Sequence, residues 1–150
     1  MKISLAVSEE NYDAIRETLL SCGIEVDDGA DFILTERDKY VSHLAVRDRN
    51  TGEKLHVPTD TVIRIESFGK EVEVVTSEGR FQTSDRVYQL MFLLDPAKFM
   101  RISNSMIVNL KQIRQIRPSL SQKFVLLLTD GSSVDVTRSY YHVFKDRFGI

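Results

Sequence analysis

Phe99-Met100-Arg101-Ile102-Ser103-Asn104-Ser105-Met106-Ile107-Val108-Asn109-Leu110 decides what kind of chain this is. Two short runs, FMRIS and MIVNL, flank a polar loop at Asn104. Each run is short and bounded by polar residues, as a strand of a mostly β region is. In a strand, successive side chains face opposite sides, so a buried Ile102 leaves Arg101 and Ser103 facing outward. The stretch therefore predicts two strands joined tip to tip by a polar turn.

Runs of the same kind extend in both directions. Toward the C-terminus come QIRQIRP, FVLLLT and SSVDVT, with a turn at Asp130-Gly131. Toward the N-terminus lie GRFQT, KEVEVVTS and TVIRIES, punctuated by Glu78-Gly79 and Ser67-Phe68-Gly69. Before them VSHLAVRD and EKLHV flank Arg49-Asn50-Thr51-Gly52, which reads as a hairpin loop. One helix interrupts the strands: Val87, Leu90, Met91 and Leu94 share a helical face, Ser84 is the expected N-cap, and Asp95-Pro96 stops it. A second short helix is expected around Tyr140 to Phe148.

The first forty residues follow a different rhythm. KISLAV reads as a strand, Ser8 as an N-cap, Tyr12, Ile15 and Leu19 as one face of a helix ended by Gly23, and FILTE (Phe32 to Glu36) as the next strand. The expectation is a mostly β chain, α+β overall. Residues 1–40 form a small β-α-β accessory unit, and residues 41–150 form a module of many short strands with one or two short helices. The N-terminal unit is too small to bury much apolar surface alone.

Composition narrows the function. Apolar residues at 42% and charged residues at 28% are globular values. No window is apolar enough for a membrane span, and MKISLAVSEEN turns acidic too early for a signal peptide, so the expected location is cytoplasmic. A single cysteine, Cys22, has no partner for an intrachain disulfide, and His43, His56 and His142 show no metal-ligand spacing. The seven glycines are scattered through turns and build no phosphate loop, and Glu66 has no second carboxylate or nucleophile at a useful spacing. Neither an enzyme nor a cofactor is expected.

The net charge of −2 hides a gradient. Residues 1–53 hold 6 Lys/Arg and 12 Asp/Glu, residues 54–95 hold 5 and 7, and residues 96–150 hold 9 and 3. Phosphate backbones respond to local Lys/Arg density, so the basic final third is a candidate electrostatic footprint, with an ordinary basic surface as the alternative.

Three stretches in order resemble the LytTR family of DNA-binding domains: Val62-Ile63-Arg64-Ile65-Glu66-Ser67, then Phe99 through Leu110, then Asp130-Gly131 through Val136-Thr137-Arg138. The middle one is the most specific, with Phe99, Arg101, Ser105, Ile107-Val108 and Asn109 at the family's positions. The resemblance covers roughly residues 41–150. It implies a LytTR-like module of short antiparallel strands that reads the major groove of double-stranded DNA with loops and strand ends. Such a groove, about 12 Å wide, admits any slender element with donors at its tip.

Carried over position by position, the family's base-reading residues fall on Asn104 and Arg138. An Arg offers guanine O6 and N7 two donors, and an Asn amide matches adenine N6 and N7. The structural alternatives are a turn residue bonding its own backbone for Asn104 and a solvated charge for Arg138. The third position lies in the loop after Glu66-Ser67, which is shorter here and offers Gly69, Lys70 and Glu71. Lys70 is the residue able to reach a base or phosphate, whereas Glu71 repels the backbone. Arg101, Ser105, Lys111 and Ser139 are candidate phosphate contacts. Asn109 reads as a structural residue at a strand end, and Phe99, Ile107, Val108, Leu126 and Leu128 read as core.

The resemblance thus implies a sequence-specific transcription regulator, of bacterial type, acting on promoter direct or inverted repeats as a homodimer. A β-rich protein-interaction module of the same ancestry that leaves DNA alone is the alternative. Residues 1–40 are too few to build the phosphorylatable receiver domain that many LytTR regulators carry.

Overall fold

Lys2–Ala6 (β1) begins a parallel three-stranded sheet, flanked by Glu25–Val26 (β2) and Phe32–Thr35 (β3). The structure, a computed structural model, describes residues 1–36 and 40–150. Between β1 and β2 runs helix α1, Glu9–Ser21. Ser8 occupies its N-cap position but makes no side-chain cap bond; the Ser8 N–H instead donates to Glu36 Oε1 at 2.6 Å. The acidic Glu9 and Glu10 suit the positive end of the helix dipole. At the other end Gly23, at φ +80°, takes the left-handed conformation that closes a helix. Its N–H donates to Leu20 O and that of Ile24 to Leu19 O, which together satisfy two terminal carbonyls. In the β1–β3 register Ile3 stands beside Phe32 and Leu5 beside Leu34, so all four share one face. Phe32 is 63% and Leu34 39% exposed on it.

The chain divides into two units, Met1–Val41 and Ser42–Ile150. The second is built on a seven-stranded antiparallel sheet. Its strands are His43–Asp48 (β4), Lys54–Pro58 (β5), Val62–Phe68 (β6), Glu71–Thr76 (β7), Gly79–Thr83 (β8), Phe99–Ser103 (β9) and Met106–Asn109 (β10), in the order β5-β4-β8-β7-β6-β10-β9. Ile113–Ser119 (β11), Lys123–Leu128 (β12) and Ser133–Val136 (β13) make an antiparallel three-stranded sheet. The expected mostly β class and short antiparallel strands are therefore observed.

Helix α2 spans Val87–Leu93 and α3 spans Tyr141–Phe148. Ser84 is not the cap of α2. Arg86 holds that position, and its N–H donates to the Gln89 side chain at 2.8 Å, while the Asp85 N–H turns back to Thr83 Oγ1. The Gln89 side chain thus satisfies the N–H of the cap residue, the return half of a capping box.

The two sheets of the second unit pack face to face. Met100, Ile102, Val108 and Ile63 meet Phe124, Leu126, Leu128, Val134 and Val136, with the fully buried Phe144 of α3 closing the cluster. By alternation Phe99 and Ile107 point to the opposite face of the large sheet, and α2 lies against β6, β9 and β10. The core assignments made for Phe99, Ile107, Val108, Leu126 and Leu128 agree with their burial.

Two polar side chains are part of this interior. Asn109 Nδ2 donates to Val62 O at 2.8 Å and its Oδ1 accepts from Lys111 N at 3.1 Å, so it is a structural residue at a strand end. Arg64 reaches the β12–β13 turn, where Nη1 lies 2.9 Å from Asp130 Oδ2 and 3.0 Å from Ser132 Oγ. A register shift in β6 between Val62 and Arg64 permits this contact. Such a bulge places two successive residues on the same side, here Ile63 and Arg64 toward the small sheet.

Candidate nucleic-acid interface

Strand direction brings the turns of interest together. β6 and β9 both pair antiparallel with β10, so they run the same way and their following turns emerge at one end of the sheet. The first turn carries Gly69 and Lys70, and the second carries Asn104 and Ser105. They are joined directly: the Ser67 N–H donates to Ser105 O at 2.8 Å. A third segment, leaving β13, docks on the edge of β9, where Thr137 N–H donates to Ile102 O at 3.0 Å. Arg138, Ser139 and Tyr140 then form a short 3-10 turn beside Asn104.

This end is braced from within. Arg101 donates through Nε to Ser103 O at 3.1 Å and through Nη2 to Asn104 O at 2.5 Å. Its guanidinium carbon lies 5.9 Å from the centre of the Tyr140 ring. The Tyr140 hydroxyl donates to Asn104 Oδ1 at 3.1 Å. The Ser103 and Ser105 hydroxyls are 3.3 Å apart across the turn.

The expected base-reading residues Asn104, Arg138 and Lys70 thus stand at one end of the module, all exposed. Among the described residues, neither Arg138 nor Lys70 enters an ion pair, so both cations face solvent uncompensated. Glu71, expected to repel a phosphate backbone, lies 4.0 Å from Arg49 Nη2. Ser105 and Ser139 belong to the same end. Arg101 is half-buried rather than outward-facing, because the carbonyls of its own turn hold its guanidinium. Lys111 is not brought to this end. It follows the far end of β10, seven residues on from Asn104.

The sequence pattern does not single out two further residues here. Tyr140 reads only as the start of a helix, and its bond to Asn104 spans 36 residues. Phe68 falls in the same register as Arg64 and Glu66 of β6 and is 56% exposed at the tip. A large apolar residue at the end of a strand, next to a turn glycine, is the one local signal for it.

Among the described residues no group of three or more His, Cys, Asp or Glu side chains is arranged to hold a metal ion. No described helix is long and apolar enough to cross a membrane.

Residues 52–149 match the family model described as the LytTr DNA-binding domain. Over 99 residues the chain is 26% identical to the transcriptional regulatory protein LytR of Staphylococcus aureus, covering 65% of this chain and 40% of that protein. It is 29% identical over 84 residues to the sensory transduction protein LytT of Bacillus subtilis, covering 56% and 35%. The chain thus spans well under half the length of these relatives. A solved LytTr DNA-binding domain from Bacillus cereus superposes with a TM-score of 0.69 at 25% identity, covering 73% of this chain and 99% of that one. Because the family model matches more than half of the chain, the chain belongs to the LytTr DNA-binding domain family.

Proposed function

We propose that the chain is a cytoplasmic transcription regulator that binds specific double-stranded DNA sequences by presenting its three gathered turns to the major groove. The observation that carries the proposal is the clustering of Asn104, Arg138 and Lys70 at one exposed end, with both cations unpaired among the described residues. Arg138 offers paired donors to a guanine edge, Asn104 supplies an amide, and Lys70 reaches a base or phosphate. Ser105 and Ser139 donate to flanking phosphates and fix the register, while Arg101 braces the turn rather than meeting a phosphate. Binding of this kind needs neither a cofactor nor a catalytic group.

One such module reads few base pairs, so two copies on repeated half-sites, direct or inverted, supply the selectivity a genome demands. The exposed Phe32 and Leu34 face of the N-terminal unit is the proposed surface for pairing with a second copy. That unit is acidic, which keeps it away from phosphates.

The test is affinity for DNA upstream of the protein's own gene and for an unrelated duplex. Losing a two-pronged base contact costs about 1–3 kcal/mol, so Arg138→Ala is expected to weaken specific binding about 5- to 150-fold with unchanged circular dichroism. If Arg138→Ala and Asn104→Ala both bind the specific site like the parent protein, the DNA reading fails and the protein-interaction module replaces it.

A further inference from the structure

We infer that Tyr140 is a positioning residue that holds the Asn104 amide with its NH2 outward, so that Asn104 reads hydrogen-bond acceptors, guanine O6 and N7 first, rather than adenine. The inference rests on the DNA-binding proposal and adds what the Asn104 turn recognises.

An Asn side chain carries one accepting oxygen and one donating NH2 on a rigid plane. Its two-pronged match to adenine uses both at once, oxygen toward N6 and nitrogen toward N7. In this turn the oxygen is already engaged, because the Tyr140 hydroxyl donates to Asn104 Oδ1 at 3.1 Å. The turn cannot swing freely to release it. Arg101 grips the carbonyls of Ser103 and Asn104, and the same guanidinium lies over the Tyr140 ring. Tyr140 is anchored in turn by its own segment, since the Tyr140 N–H donates to Thr137 O and the Thr137 N–H to Ile102 O. Ring, guanidinium and turn form one braced unit in which Asn104 Nδ2 is left to meet a partner.

A donor-only tip complements an acceptor-only edge. Guanine presents N7 and O6 side by side in the major groove, while adenine places its N6 amino group where the second acceptor would be. Against adenine, the outward NH2 keeps the N7 acceptor but loses the second one, since N6 is itself a donor. The sequence alone, seeing an Asn in a loop, suggests adenine; the tyrosine 36 residues away reverses that expectation.

The test uses the full chain and a duplex library in which each base pair of the bound site is varied. In the parent protein, the base pair whose preference Asn104→Ala flattens is expected to be G·C. Tyr140→Phe keeps the ring but frees the amide, and is expected to lower the guanine-to-adenine ratio at that same pair about three- to tenfold. Preferences elsewhere stay unchanged, and the change vanishes in the Asn104→Ala background. In the free protein, the NMR signals of the Asn104 side-chain NH2 should move in Tyr140→Phe. The inference is overturned if Asn104→Ala flattens an A·T pair, if Tyr140→Phe weakens all sequences equally, or if the amide signals stay put. If the parent protein selects no sequence at all, the DNA-binding proposal itself falls and takes this inference with it.

Discussion

Replacing Asp130 by Ala would strand the buried Arg64. The Arg64 side chain is 10% exposed; among the described residues its Nε has no hydrogen-bond partner and its Nη1 is held by Asp130 and Ser132 alone. Removing one member of a fully buried pair costs about 3–5 kcal/mol, mostly through the charge left behind. Asp130 is 23% exposed at its side chain, so water takes over part of its role and the expected loss is nearer 2–3 kcal/mol. Urea unfolding followed by circular dichroism at pH 7 measures it. The pH dependence gives a second reading. Burial pushes the Asp130 carboxyl up, but hydrogen bonds from the Ser132 hydroxyl and N–H, with the charge and hydrogen bond of Arg64, outweigh it and hold it below 3.8. A carboxyl whose value is depressed in the folded state adds stability that is fully present above the unfolded value and is lost as pH falls through the folded one. The gap between the parent protein and Asp130→Asn should therefore be widest near neutrality and close below about pH 4. A loss under about 0.5 kcal/mol for Asp130→Ala at pH 7, or a gap that stays constant from pH 7 to pH 3, would refute a charged clamp between the two sheets.

Specific binding should fall steeply with salt despite the acidic whole-chain charge. If Lys70 and Arg138 each displace a counterion, log affinity against log salt has a slope of about −2 per copy, and Lys70→Ala reduces it by about one; a flat plot removes the backbone contacts. Phe32→Asp is expected to abolish cooperative loading of a two-half-site duplex while leaving affinity for a single half-site intact, as read by sedimentation of the complexes. Equal cooperativity in both proteins would exclude that face as the pairing device.

What the sequence revealed was what depends on neighbours along the chain. Period-two alternation located the strands of the second unit, and Gly23 marked the end of α1. What depends on partners far along the chain stayed hidden. Arg64 looks like an outward residue of an alternating strand, because nothing nearby announces the bulge that turns it inward toward Asp130, 66 residues on. Arg101 looks free for a phosphate, because the carbonyls that occupy it become acceptors only once the turn closes. Lys111 and Asn104 are seven residues apart in sequence, yet β10 carries them to opposite ends of the sheet. The helix boundary at Arg86 was obscured for the same reason in miniature: Ser84 is the better cap by type, but the Gln89 side chain returns to a later residue.

The bonds that draw the reading end together, Ser67 N to Ser105 O and Thr137 N to Ile102 O, are main chain to main chain. Such bonds do not depend on which side chains the residues carry. The exposed residues Phe68, Lys70 and Arg138 can therefore be exchanged in combination while the frame that holds them persists, much as type can be reset in a fixed forme. A library randomised at these three positions would sample new target sequences from one stable scaffold, and related chains could drift between operators without passing through an unfolded intermediate.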